Sequence, residues 1–438
     1  MYRVGRLLKT DGTSSGRTLI PKIVFVSAMA LVILGVSGVA GQNRTGTIKV
    51  IGTGKAEGMP ILNSWFTTEP STDALIIPTR VHGVVTADSI RRFMRIYFPR
   101  TYEELLEYGF LFLAQVDMQF LGPREEKWLY DALTEHRKGA VNTRSVMSMN
   151  DVFNLPWRDS PLSRTFPNDA EAVVADKTLI RGARTIREVA GDLVIRDDLE
   201  LPAIMSPFKD PIEGAYGQYR GLNTIPKPGS VILSYLRTDG NVGQPVPGQV
   251  AHVFYWRWNR SITFTFQDMI YDRFWSSRSI GEANPYALDI IANIVWFSTG
   301  RELPGDPYRV HEYRSDLYEF ATRKNLLVSL LDFAERFGAN PSREYRKLRD
   351  VEDIKSVSTD LYLDAEFDSA VNELESALEL MAELEGESRE LKDKALLWVY
   401  FVEWAVTTGV FLFAGFVLWT LMVRRRLYRE VGITALTL

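Results

Sequence analysis

The stretch GFLFLAQVDMQFLGPREEKWLYDALTEHRKGAVNTRS, residues 109–145, decides the fold. Its first eight residues are a short apolar run, GFLFLAQV (109–116). PREEKWLYDALTEHR (123–137) then carries the spacing of an amphipathic helix, and GAVNTRS (139–145) is a second short run. Strand, helix, strand in this order is the unit from which parallel sheets are built. Upstream, TIKVIG (47–52) and ALIIPT (74–79) extend the pattern, so the expected fold class is α/β with a mainly parallel sheet. Downstream come SVILSYL (230–236), HVFYWRW (252–258) and SITFTF (261–266), the last two joined by a connection of hairpin length, which predicts antiparallel strands on one side of that sheet.

The 438 residues, 46% hydrophobic and 24% charged, are enough for a large core and for accessory segments. A net charge of −4 without a basic stripe argues against a nucleic-acid partner. Cysteine is absent, which removes disulfides, thiolate metal sites and a thiol nucleophile together. No phosphate-binding glycine loop occurs. Asp268 and Asp272 lack the further oxygen ligands a hard cation needs, so no cofactor and no metal are expected.

Both ends of the chain point to a membrane. IVFVSAMALVILGVSGVA (23–40) follows Arg3, Arg6, Lys9, Arg17 and Lys22 and reads as a signal peptide or a first anchor. WAVTTGVFLFAGFVLWTLMV (404–423) has no charge over about the 20 residues a helix needs to cross a bilayer, and Arg424, Arg425 and Arg426 follow it. The basic triplet belongs on the cytoplasmic side, with Trp398, Tyr400 and Trp404 at the opposite interface. The expected organisation is therefore a cytoplasmic leader and apolar run (1–42), an extracytoplasmic α/β domain (43–305), a helical stalk (306–395), a transmembrane helix (396–423) and a cytoplasmic tail (424–438). Asn43 and Asn259 each begin an N-glycosylation pattern, which fits an exterior location.

Three helices are legible before the span. ANPYALDIIANIVWFSTG is closed by Asn284 and Pro285 at its start and by Gly300 at its end. DLYEFATRKNLLVSLLDFAERFG ends at Gly338. A third begins near Asp364, with Phe367, Val371, Leu374, Leu378 and Met381 at steps of four and three, the seam of a coiled coil. The helix carrying Leu327, Leu330, Leu331 and Phe337 is the expected partner of that seam, forming a hairpin over about 316–338 and 361–395. A second copy of the chain is the alternative, which would make a homo-oligomer through the stalk.

Four longer pieces carry a resemblance: YFPRTYEELLEYGFLFLAQVD, WRDSPLSRTFPND, HVFYWRWNRSITFTFQD and NPYALDIIANIVWFSTGRELP. Over residues 45–305 the chain resembles a membrane-anchored, archaeal branch of the class I glutamine amidotransferase-like superfamily, and residues 395–432 are similar to the C-terminal anchor of the same proteins. The resemblance implies a flavodoxin-like layered domain in which a glycine-flanked cysteine would stand on a strained turn after a strand, activated by a histidine with an acidic partner. VNTRSVMSMN falls at that turn with neither the cysteine nor the glycines. Ser145 could in principle stand in for the thiol. Of the four histidines, His252 lies in an apolar strand and His136 on a helix between Glu135 and Arg137, while His82 and His311 are expected in loops. None carries the marks of a general base with an orienting acid.

The reading that follows is a non-catalytic surface scaffold, a degenerate amidotransferase-like domain whose partners are the membrane and other cell-surface or membrane proteins. A serine hydrolase using Ser145 is one alternative. A carbohydrate-binding sensor is another, with glycan as partner: alternation in HVFYWRWN places Phe254, Trp256 and Trp258 on one face and Tyr255, Arg257 and Asn259 on the other, where Tyr255 and Arg257 could stack on a sugar. Asp117, just past the strand 109–116, stands where open α/β sheets hold ligands.

Overall fold

The structure is a computed structural model that describes residues 46–55, 59–80, 85–114, 116–143, 157, 159–168, 189–216, 218–221, 226–238, 248–266, 274 and 284–434. The first apolar run, Asn43, His82, Ser145, Asp268 and Asp272 lie outside these residues.

Among the described residues nine strands form one sheet: β1 (Ile48–Lys55), β2 (Thr72–Arg80), β3 (Phe110–Ala114), β4 (Gly139–Thr143), β5 (Val189–Ile195), β6 (Gln218–Gly221), β7 (Val231–Thr238), β8 (Gly248–Trp258) and β9 (Ser261–Phe266). Their order is β2-β1-β3-β4-β9-β8-β7-β5-β6. The pairings of β2, β1, β3, β4 and β9 are all parallel, and β8, β7, β5 and β6 add an antiparallel wing. The parallel half thus winds out from β1 to β2, returns across β1 to β3 and continues in one direction. This is the doubly wound order, with its switch point between β1 and β3.

The amino-acid pattern accounts for the layers. Every residue of β3, β4 and β9 is buried, as expected of strands covered on both faces. Along β3 alternate side chains enter different cores. Phe110, Phe112 and Ala114 join the cluster under α1 (Met59–Thr68) and α6 (Ala287–Thr299), while Leu111 and Leu113 join the one under α2 (Ala87–Tyr97), α3 (Tyr102–Leu106) and α4 (Pro123–Glu135). A further short helix, α5 (Lys209–Tyr216), packs against β5.

α6 is apolar almost all round, with ten buried residues, because it lies between the sheet and a further layer of helices. Gly300 closes it at φ 85°, where a side chain would be strained and its Cβ would stand 2.0 Å from Arg137 Nη2. Asn284 acts one step earlier than a helix cap. Its side-chain oxygen accepts from the Tyr286 amide at 3.0 Å, making a turn that delivers the chain to the helix at Ala287.

Beyond α6 lie three long helices: α7 (Pro307–Arg336), α8 (Ser342–Leu363) and α9 (Phe367–Thr434). Asp306 starts α7 by accepting from the amides of Tyr308 and Arg309 at 3.0 and 3.1 Å. α8 turns the expected hairpin into a three-helix packing in which α9 lies against both α7 and α8. The seam of α9 is its buried stripe Ala370, Val371, Leu374, Ala377, Met381, Leu384 and Ser388, at steps of three and four after Val371. Leu378, expected in the seam, is only partly buried, and Ala377 takes the central place. Leu327 and Leu331 of α7 and Leu348 and Val351 of α8 belong to the same core. That core is continuous with the one under α1 and α6, so the base of the helical region is part of the α/β domain's own packing.

The stripe stops at Ala395, and from Leu397 to Val423 the large apolar side chains are exposed, Trp404 by 73% and Phe411 by 76%. This portion of α9 has a window of mean hydropathy 2.0 with no protein around it, and α9 is long and apolar enough to cross a membrane. Its length and composition fit a membrane anchor.

Candidate functional site

The carboxyl edge of a doubly wound sheet is where ligands sit, closest to the switch point. Here that point is the β1–β3 junction, and the backbones approach closely: a Cβ on Gly54 would stand 1.8 Å from the carbonyl oxygen of Ala114. Only glycine permits that contact. At the same edge are three buried hydroxyls with no hydrogen-bond partner among the described residues: Thr79 at the end of β2, Thr53 at the end of β1 and Thr143 at the end of β4. Beside them Asn168 is held by two neighbours. Its side-chain oxygen accepts from Asn142 Nδ2 at 3.4 Å and from Thr265 Oγ1 at 3.2 Å. A run of hydroxyl and amide groups along this edge contrasts with the hydrocarbon of the strand centres, and it marks the polar end of the sheet.

Asp117 is at this edge, 3% exposed, and is engaged as a cap. Its Oδ1 accepts from the Gln119 amide at 3.1 Å and its Oδ2 from Gln119 Nε2, which starts the 3-10 turn Met118–Phe120. Ser145 is two positions past the last residue of β4 and outside the described residues.

The histidines do not gather at this edge among the described residues. His252 is fully buried in β8 with Nδ1 2.9 Å from Ser234 Oγ and its ring edge-on to Phe274. His136 is the C-cap of α4, at the amino edge of the sheet, where its carbonyl accepts from Ser261 Oγ at 2.9 Å. His311 is on α7, not in a loop, and its Nδ1 is 2.7 Å from Asp289 Oδ2.

The face of β8 read as open is covered at Tyr255. Tyr255 packs against Phe264 and Phe297, with ring centroids 5.1 and 5.4 Å away, and burial raises its pKa. Arg257 on the same face is exposed. A sugar would therefore find the guanidinium but not a free tyrosine ring. Trp256 and Trp258 occupy the opposite face, donating to the Thr165 carbonyl and to Thr134 Oγ1 at 2.9 and 3.1 Å. Asn259 adopts φ 50° in the β8–β9 turn, and its Nδ2, the atom a glycan would be joined to, donates to the Thr134 carbonyl at 3.2 Å.

The densest set of buried charges lies instead where α1, α6, α7 and α8 meet. Arg314, 3% exposed, donates from Nε to Glu69 Oε2 at 2.6 Å and from Nη1 to Asp289 Oδ1 at 2.7 Å. Glu69 Oε1 also accepts from the amide and hydroxyl of Ser71 at 3.0 and 2.6 Å, and Tyr362 OH donates to both of its oxygens at 3.1 Å. Trp296 Nε1 donates to Ser71 Oγ at 2.7 Å, and its ring lies 5.4 Å from the Arg314 guanidinium. Burial disfavours the charged guanidinium, yet Glu69, Tyr362 and Asp289 hold its pKa above the ordinary arginine value. Burial likewise pushes the Tyr362 hydroxyl well up, so it stays a hydrogen-bond donor. Nothing in the sequence marks this set. Glu69 and Arg314 are 245 positions apart, and the stretch before Asp316 is expected outside the helix.

No protein-family model matches the chain, and no curated protein matches it. Among solved structures, likeness extends over 57% of this chain to the cytoplasmic protein STM3548 from Salmonella typhimurium, 99% of which is covered, at 11% identity and a TM-score of 0.39. It extends over 58% to the cytoplasmic protein STM1381 from Salmonella typhimurium LT2, 98% of which is covered, at 12% identity and a TM-score of 0.36. At such scores the likeness carries no argument about fold or activity.

Proposed function

We propose that the protein is a membrane-anchored scaffold: a degenerate domain of the class I glutamine amidotransferase-like kind, held on the extracytoplasmic side, that presents surfaces to other cell-surface or membrane proteins and does no chemistry at its strand edge. The observation that carries this reading is the Arg314–Glu69–Asp289 set. It ties the α/β domain to the helices leading into the apolar segment, the rigid mounting a docking platform needs. The doubly wound strand order supports the amidotransferase-like assignment, and the absence of cysteine from the sequence removes the thiol on which that chemistry depends. The basic triplet Arg424–Arg426 supports a cytoplasmic C-terminus.

Two measurements test this, one in sealed cells and one on the purified chain. A tag after Leu438 should be protected from added protease while the α/β domain is digested. A fluorophosphonate probe should leave the purified chain unlabelled. Stoichiometric labelling that disappears in Ser145→Ala would replace the scaffold with a serine hydrolase, and digestion of the tag in sealed cells would reverse the orientation.

A further inference from the structure

On the face of the sheet covered by α2, α3 and α4 there is a cavity of about 610 Å³ between the outer side of α2 and the start of α4. Four arginines line it: Arg91 and Arg95 from α2, Arg100 from the α2–α3 link and Arg124 from the first turn of α4. One carboxylate, Glu125, is in the lining, and it is spent on its neighbour, accepting from Arg124 Nε and Nη2 at 3.1 and 2.7 Å. Arg91 is held at the rim by Asp88, at 3.1 Å, and its guanidinium lies 5.9 Å from the Phe120 ring. The side chains of Arg95 and Arg100 have neither an ion pair nor a hydrogen bond among the described residues. Glu104, four positions on, accepts from the Arg100 backbone amide at 2.7 Å. The floor is apolar: Met94, Phe98 and Phe120, each less than a tenth exposed.

With Arg91 paired to Asp88 and Arg124 to Glu125, the charges of Arg95 and Arg100 remain beside a concave apolar floor without a counter-charge among the described residues, which an entering anion would supply. Guanidinium groups are planar forks that match the oxygens of a phosphate in pairs. The volume lies in the range of small-molecule sites, roughly 300–1,000 Å³. α4 opens on Gly122 without a side-chain cap, so its first amides add partial positive charge at the same wall. We propose that this cavity binds a soluble organic phosphate monoester, its dianion between Arg95, Arg100 and Arg124 and its hydrocarbon part against Phe98, Phe120 and Met94. The proposal does not depend on the scaffold reading.

The test is calorimetric titration of the full chain in nanodiscs of zwitterionic lipid, with phenyl phosphate and inorganic phosphate as probes. Phenyl phosphate should bind saturably and several-fold more tightly than inorganic phosphate, and added salt should weaken both. The double variant Arg95→Ala/Arg100→Ala should lose about tenfold or more in affinity. Both side chains are exposed and make neither an ion pair nor a hydrogen bond among the described residues, so the variant should unfold at the wild-type temperature. Equal binding by the double variant, equal affinity for the two probes, or no saturable binding of phenyl phosphate at millimolar concentration would each overturn the assignment.

Discussion

Replacing Arg314 by Met tests the joint between the α/β domain and the helices. The methionine fills much of the same volume but removes the cation from Glu69 and Asp289, each 1% exposed. Glu69 keeps the donors Ser71 and Tyr362, and Asp289 keeps His311, so both remain hydrogen-bonded; what they lose is the charge that offsets their desolvation. Breaking a buried pair in this way costs about 3–5 kcal/mol. For a chain of this size that corresponds to a fall in unfolding temperature of roughly 3–6 °C. Thermal unfolding of the full chain in detergent, followed by tryptophan fluorescence, measures it, and Trp296 beside the guanidinium makes the signal local. Neutralising the carboxylates as well, in Glu69→Gln/Asp289→Asn/Arg314→Met, should recover most of the loss, because no unpaired charge is left inside. The reasoning is refuted if Arg314→Met unfolds within about 1 °C of the wild type, or if the triple variant is no more stable than the single one.

Burial, and then Glu312, Glu375 and Glu319 against the opposing Arg309, raises the Asp316 carboxyl to about 6. A folded pKa above the unfolded one means that its contribution to stability is complete below the unfolded pKa and is lost as pH rises through about 6. Asp316→Asn should therefore stabilise near pH 8, by no more than about 1 kcal/mol after solvent screening, and change little near pH 4; a larger gain at the acidic end would contradict the sign. Leu374→Ala, at a fully buried seam position, should cost about 2–5 kcal/mol, against almost nothing for the exposed Leu380→Ala; chemical denaturation with equal costs would dissolve the seam. Arg323 Nε and Glu385 Oε1 are 2.8 Å apart across α7 and α9. In a chain without native thiols, cysteines at the two positions should be joined within one chain by a short bismaleimide, and links found only between chains would mean that the helices pair across a dimer.

Much of the sheet was legible because its strands obey local rules. GFLFLAQV and GAVNTRS bracket β3 and β4 to within a few residues, and SITFTF is β9 residue for residue. Gly300 was legible for the same reason, since a left-handed stop after an apolar helix favours glycine. α8 was not, because its buried side is thin: Leu348, Val351 and Tyr362 stand among charges, in a helix whose partners lie on both sides of it in the chain. Tyr255 was misread because two-residue alternation tells which side chains share a face, not whether a helix covers that face, and Phe297 arrives from more than thirty residues downstream. The Arg314 set was invisible for a related reason: a buried charge and a solvated one are the same letter until the fold brings their partners together. The arginines of the α2–α4 cavity were equally scattered, over Arg91 to Arg124.

α9 is unbroken over 68 residues, roughly 100 Å at ~1.5 Å per residue. The packed stripe that ends at Ala395 and the apolar segment after it are therefore turns of one screw, and the azimuth of the lower part is fixed by that of the upper. Removing a single residue between Ala395 and Trp404 would swing the exposed apolar side chains by about 100° about the helix axis while leaving their composition untouched; removing seven would bring them back to within roughly 20°. Any contact the apolar segment makes with a neighbour is in this way geared to the bearing of the α/β domain, and a twist at one end reaches the other without passing through a hinge.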